Sequence, residues 1–303
     1  MPVMAYSALR YFNEGLSVTR PTMYIALVGT LANIPVNYVL MFGKLGLPRL
    51  GAPGAGYGSA IVYWLMFLLI LLFTSRFHAW RRFRIFGAFR LPEREQLREM
   101  LSIGIPIGVG AAMEVTMFAV TSLMMATLGT VAVAGHQVAI NFAGLTFMVP
   151  FGLSIAVTAR VGVSAGRGRL EEVRQRGSAG ILLSVLFMCL TAVFILLLPD
   201  LIASIYTNDP AVREMSVQLL TLAAIFQISD GLQVGAFGAL RGLKDTRFPM
   251  FINMFAYGVV GLGLSWFLGL YKELGPRGLW TGLIVGLTIA GVVHTVRFWY
   301  KTR

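Results

Sequence analysis

The sequence predicts an all-α integral membrane protein, a helical bundle with eight transmembrane helices. Three observations predict it. Hydrophobic residues make up 57% of the 303 and charged residues 13%, against about 25% charged in a soluble chain, too few charges to cover a water-facing surface. Apolar runs recur at the length of about 20 residues that crosses roughly 30 Å of hydrocarbon. Positive charge gathers in every second connection, the pattern of a chain that crosses back and forth.

The elements follow in order. The first 22 residues contain Arg10, Glu14 and Arg20 and no uninterrupted apolar core, so no cleaved signal peptide is expected there. The predicted spans run from Met23 to Phe42, Tyr57 to Thr74, Ile103 to Leu128, Val131 to Val157, Ile181 to Leu198, Val217 to Leu240, Phe248 to Leu270, and Leu279 to Val296. These are continuous runs, not alternating ten-residue strands, which argues against a membrane β-barrel.

The connection after the second span carries Arg76, Arg81, Arg82, Arg84, Arg90, Arg94 and Arg98. Arg160, Arg167, Arg169, Arg174 and Arg176 follow the fourth, Arg241, Lys244 and Arg247 the sixth, and Arg297, Lys301 and Arg303 the last. The alternate connections hold only Lys44, Arg49, Arg213, Lys272 and Arg277. Positive loops stay on the cytoplasmic side, so both termini are expected in the cytoplasm, with the protein in the inner membrane. The net charge of +12 then belongs to loops facing anionic lipid headgroups, and nucleic acid is not an expected partner. The single cysteine, Cys189, rules out an intrachain disulfide framework.

An internal repeat stands out. KLGLPRLG at Lys44 resembles KELGPRGL at Lys272, with Lys44 and Lys272, Pro48 and Pro276, and Arg49 and Arg277 each 228 residues apart. Leu9-Arg10 followed by Thr19-Arg20-Pro21 parallels Leu240-Arg241 followed by Thr246-Arg247 and Pro249. Four spans, the third to the sixth, lead into the second copy of this pattern and none leads into the first. The first two spans therefore read as the last two of a six-span unit, in a parent of six plus six helices related by an axis along the membrane normal.

Only two acidic residues fall within spans, Glu114 and Asp230. They lie about 16 and 20 Å along their helices, near the bilayer midplane. A carboxylate at that depth faces a cavity, a partner or an ion path. The bland alternative is a neutral acid that only ties helices together. No Lys or Arg shares the midplane with them, which makes a transported cation the natural counter-charge. Gln227, Asp230 and Gln233 are spaced along one helix, as are the amide pairs Asn33 and Asn37, and Gln137 and Asn141. These are candidates for cavity lining or for interhelical hydrogen bonding.

Pro106 and Pro150 are placed to kink their helices. Gly104 and Gly108, Gly231 and Gly235, and Gly282 and Gly286 are spaced for close helix contact. His136 and His294 lie near span ends and are expected at the interface. The glycines at 51, 54, 56 and 58 read as a packed turn. There is no zinc-protease, nucleophile-elbow or phosphate-loop motif, so an enzyme is not expected.

GHQVAINFAGLTFMVPFGLSIAVTARVG from Gly135, NIPVNYVLMFGKLGLP from Asn33, AAMEVTMFA from Ala111 and FQISDGLQVGAFGALRGLKDT from Phe226 resemble the multidrug and toxic compound extrusion (MATE) transporters, NorM-like branch. The resemblance covers nearly the whole chain. It implies twelve helices in two six-helix lobes. Residues 1–78 would supply the last two helices of the amino-terminal lobe, 79–98 a basic cytoplasmic linker, and 99–303 the complete carboxy-terminal lobe. It also implies efflux of cationic, aromatic compounds in exchange for Na⁺ or H⁺, with no cofactor.

By this resemblance Glu114 and Asp230 match the family's coupling acids, and would hold Na⁺ if that is the ion. Asn33 and Asn37 match polar positions on the fifth helix. Phe226 stands where some members have Tyr, which removes one hard oxygen ligand and weakens the case for Na⁺. The acid of the family's first helix has no counterpart in this chain. Two other readings remain open, a non-transporting fragment with a structural or interaction role and a lipid-linked precursor flippase of a related fold. The latter is expected to line its cavity with basic residues, which these spans lack.

Overall fold

A computed structural model describes residues 2–16, 18–46, 48–76 and 93–303. The described residues are helical and contain no strand. Among the described residues eight helices are long and apolar enough to cross a membrane, and they coincide with the eight predicted spans, extended by several residues at most ends. Arg81, Arg82, Arg84, Arg90 and the 79–92 part of the expected linker lie outside the described residues. Arg94 and Arg98 fall in the first turns of a long helix.

The chain divides into two compact units, Met1–Pro92 and Glu93–Arg303. The first holds α1 (Pro2–Gly15), α2 (Arg20–Phe42) and α3 (Ala52–Arg76). The glycine-rich stretch is not a turn. Gly51, with φ +61°, precedes α3, and Gly54, Gly56 and Gly58 lie in its first turns, where Gly54 and Gly58 let the helix close on Leu40 and Asn37 of α2. A side chain at Gly54 would meet the Leu40 carbonyl oxygen at 2.8 Å.

The second unit comprises α4 (Arg94–Thr127), α5 (Thr130–Gly166), α6 (Leu170–Leu197), α7 (Pro199–Tyr206), α8 (Pro210–Gly242), a composite span Arg247–Tyr271 and α11 (Gly275–Lys301). The composite span runs as α9 (Arg247–Asn253), a π-helical stretch Met254–Gly261, α10 (Leu262–Trp266) and a second π stretch Phe267–Tyr271. Pro106 and Pro150 lie inside α4 and α5, which continue through them.

Helix α8 is the pillar of this unit, packed against α5, α6 and α11. It is the least hydropathic of the eight spans and the most buried. That inversion follows from the solvent, because lipid takes the apolar faces and leaves small and polar residues for helix contacts. Gly231 and Gly235 admit Ser184, Met188 and Ile181 of α6, and Gly238 admits Ser154 of α5. Thr158 of α5 donates to the Gly238 carbonyl at 2.8 Å. Gly104 and Gly108 differ, since nothing stands within 4 Å of where their side chains would be. Among the described residues that pair makes no close helix contact.

Candidate functional site

Glu114 on α4 and Asp230 on α8 open into one cavity of about 250 Å³. Its walls are aromatic and small, from Phe118 on α4, Ala143, Gly144 and Phe147 on α5, and Phe226 on α8. Asp230 is 5% exposed, Glu114 is half-buried, and each carboxyl lies within electrostatic range of the other. Among the described residues no Lys, Arg or His lies within ion-pair distance of either acid, although Arg241, near the end of α8, acts on Glu114 electrostatically at longer range. No cluster of three or more His, Cys, Asp or Glu occurs among them either.

The cavity wall is held by a column of edge-to-face rings. His136 packs on Trp280 at 5.8 Å, Trp280 on Phe226 at 5.6 Å, and Phe226 on Phe118 at 6.0 Å between centroids. Such pairs fix ring orientation beyond what burial does. His136 is not interfacial. It is fully buried, with its Nε2 hydrogen-bonded to the Ser122 hydroxyl at 3.0 Å. His294 is likewise fully buried and stacks on Phe237 at 5.8 Å.

The remaining predicted residues take different places. Gln227 is buried and donates to the Thr146 hydroxyl, tying α8 to α5 beside the cavity. Gln233 is buried under the backbone approach of Gly291 on α11. Gln137 and Asn141 lie outside the cavity, both exposed, and Asn141 accepts from the Tyr206 hydroxyl of α7 at 3.0 Å. The reason is helical phase. The cavity face of α5 carries Ile140, Ala143, Gly144 and Phe147, spaced at i, i+3, i+4 and i+7, and the amide pair sits on a neighbouring face. In the first unit, Asn37 donates to Asn33 at 2.9 Å and packs on Gly58. These two asparagines hold each other and the α2–α3 contact.

Two residues of the composite span were not singled out by the sequence. Tyr257, fully buried in the π stretch, lies within electrostatic range of both Glu114 and Asp230. Asn253, one turn earlier, is 1% exposed and faces Gly110 of α4, one turn before Glu114. π-Helical turns inside longer helices recur at functional sites. The i, i+4 spacing of Asn253 and Tyr257 in an otherwise apolar run was the signal available.

A profile of the MatE family matches residues 106–267. The chain is 40% identical over 296 residues to multidrug resistance protein PmpM of Pseudomonas aeruginosa, covering 96% of this chain and 62% of that protein. It is 42% identical over 302 residues to multidrug resistance protein MdtK of Pectobacterium atrosepticum, covering 98% of this chain and 66% of the relative. The chain therefore spans less than two thirds of the length of these relatives. Among solved structures, the eukaryotic MATE transporter AtDTX14 superposes with a TM-score of 0.87 at 19% identity, over 98% of this chain and 66% of that one. An outward-facing multidrug resistance MATE transporter of the MOP superfamily gives 0.82 at 19% identity, over 94% and 62%.

Proposed function

Because this chain belongs to the MatE family of multidrug and toxic compound extrusion transporters, we propose that it forms part of a secondary active multidrug efflux machine of the inner membrane. Residues 1–78 contribute the last two helices of one lobe, 79–98 a basic cytoplasmic linker, 99–303 the whole of the other lobe, and both termini face the cytoplasm. The substrates are small organic cations, aromatic in part, exchanged for H⁺ or Na⁺ by alternating access. No cofactor and no covalent chemistry are involved.

One observation carries this reading, two carboxyls that line an aromatic-walled cavity with no cation at ion-pair distance among the described residues. A bare carboxylate in low dielectric is costly unless it is protonated or paired. A proton, Na⁺ or an organic cation each relieves that cost at the same oxygens, so loading one displaces another. Phe118, Phe147 and Phe226 offer ring faces and edges to an aromatic cation. For Na⁺, Phe226 supplies no oxygen, whereas the nearby Tyr257 hydroxyl is a candidate hard ligand. The cavity lining carries no basic residue, which disfavours a lipid-linked anionic precursor as substrate.

The test is uptake of a fluorescent organic cation into proteoliposomes under an imposed H⁺ or Na⁺ gradient, with Glu114→Gln alongside. Gradient-driven uptake that is lost in Glu114→Gln supports the reading and names the ion. Ion-driven uptake that survives the substitution rejects it. Dye binding without any gradient-driven uptake by the 303-residue chain favours the non-transporting alternative.

A further inference from the structure

A second cavity, of about 1080 Å³, lies between the start of α4 and the start of α9, away from the two acids. Both helices present the same sequence of chemistry along it. On α4, Arg94 and Arg98 are followed by Leu101 and Ile105, and on α9, Arg247 is followed by Met250 and Phe251. Each step is three or four residues, one helical turn, so charge and apolar surface share one face. From Arg98 to Ile105 the helix rises about 10 Å, the depth over which a bilayer changes from headgroup to hydrocarbon.

The three guanidiniums form no ion pair among the described residues. Of the nearby carboxylates, Glu99 is taken by Lys244 at 2.6 Å and Asp245 by Arg297 and Lys301, Glu93 stands outside the lining, and Glu95 is the one carboxylate that lines the groove among the described residues. The preceding residues 77–92 carry four arginines and no Asp or Glu, so that stretch brings no neutralising charge. Three cations against one anion leave a positive site at the mouth of an apolar groove.

We propose that this groove binds one anionic phospholipid, with its phosphate between Arg94, Arg98 and Arg247 and an acyl chain along Leu101, Ile105 and Phe251. Guanidinium forks match phosphate oxygens in a bidentate way, and Ile105 and Phe251 are 57% and 63% exposed, open to a chain lying on them. The proposal rests on the membrane assignment alone, so it and the transport reading stand or fall separately.

The test is native mass spectrometry of the purified 303-residue chain in neutral detergent, titrated with phosphatidylglycerol. One lipid per chain is expected, with phosphatidylcholine at least about tenfold weaker. Combining Arg98→Gln with Arg247→Gln weakens phosphatidylglycerol by about tenfold or more, while combining Arg160→Gln with Arg303→Gln, an equal loss of charge, leaves it unchanged. Glycerophosphoglycerol, the headgroup without chains, does not compete. The substituted side chains are exposed, and an unchanged melting temperature shows that the fold is kept. Equal weakening in both double variants, equal binding of phosphatidylcholine, or competition by the deacylated headgroup each overturns the proposal, the last in favour of a simple phosphate site.

Discussion

Leu45 and Glu273 adopt the same left-handed backbone, φ 56° at each, although they lie 228 residues apart in the chain. The residue before each closes the same i to i−5 hydrogen bond, Lys44 to Val39 at 3.1 Å and Lys272 to Phe267 at 2.8 Å. At the other end of the two spans, Thr19 and Thr246 precede the first helical turn with φ −99° and −108°. The sequence repeat at this offset is therefore also a repeat of backbone geometry, entry turn to exit turn. It supports one ancestral hairpin copied into both units.

A left-handed non-glycine residue costs roughly 1 kcal/mol, and both side chains are exposed, Leu45 at 88%. Leu45→Gly and Glu273→Gly should therefore each stabilise the fold by about 0.5 kcal/mol, the relief exceeding the added chain entropy. Gly43→Ala should do the reverse by about 2 kcal/mol, because φ is +67° and the new Cβ meets the Arg49 backbone nitrogen at 2.7 Å. Thermal unfolding followed by circular dichroism in detergent reads all three. A destabilised Leu45→Gly would count against strain at this turn.

The glycine pairs separate in the same assay. A Cβ at Gly282 would lie 2.7 Å from the Gly261 carbonyl oxygen, backbone that cannot turn aside, so Gly282→Ala should cost about 2–3 kcal/mol. At Gly108 an added Cβ would meet nothing within 4 Å among the described residues. Gly108→Ala should be neutral or stabilising by up to about 1 kcal/mol, the helix-propensity difference. Equal effects at the two sites would show that the α11 contact is loose.

The spans were legible because lipid selects for apolar length, a signal that survives any arrangement of neighbours. Helix α7 was not, being 8 residues long, and α1 was not, because charged and polar residues interrupt it. Glu114 and Asp230 were legible because midplane acids are costly. Their setting was less so, since a cavity face depends on helical phase. Gln137 and Asn141 share a face by spacing, yet packing turns that face outward. His136 was misread for the same reason, because burial comes from Ser122 and Trp280, which are distant in sequence. Tyr257 was legible only as half of the i, i+4 polar pair with Asn253, and no residue pattern in the composite span announces the π stretch in which it sits.

If the two acids receive an organic cation, neutralising them removes the counter-charge and leaves the aromatic walls. Glu114→Gln and Asp230→Asn should each weaken binding of a fluorescent cation by about tenfold or more, about 1.4 kcal/mol, and leave a neutral aromatic of similar size unchanged. Binding of the cation to the unsubstituted chain should also release protons into weakly buffered solution, and Glu114→Gln should reduce that release. Fluorescence titration and a pH-indicator dye measure the two effects. Equal loss for charged and neutral probes would point to a merely structural role for the acids.

Phe226 supports the aromatic wall from two sides, through Phe118 and Trp280. Each edge-to-face pair contributes about 0.5–1.5 kcal/mol beyond burial, so Phe226→Leu should weaken aromatic-cation binding by about three- to tenfold while keeping the fold. Because Trp280 lies 5.6 Å from that ring, its fluorescence should change in the variant and should respond to ligand in the unsubstituted chain. Phe226→Tyr tests the coupling ion in the same preparation. It adds an oxygen beside Asp230, and if the missing ligand is what disfavours Na⁺, dye binding in this variant should become more sensitive to Na⁺. Unaltered Na⁺ sensitivity in Phe226→Tyr would mean that residue 226 does not select the ion, and would shift attention to the Tyr257 hydroxyl, where Tyr257→Phe makes the matching comparison.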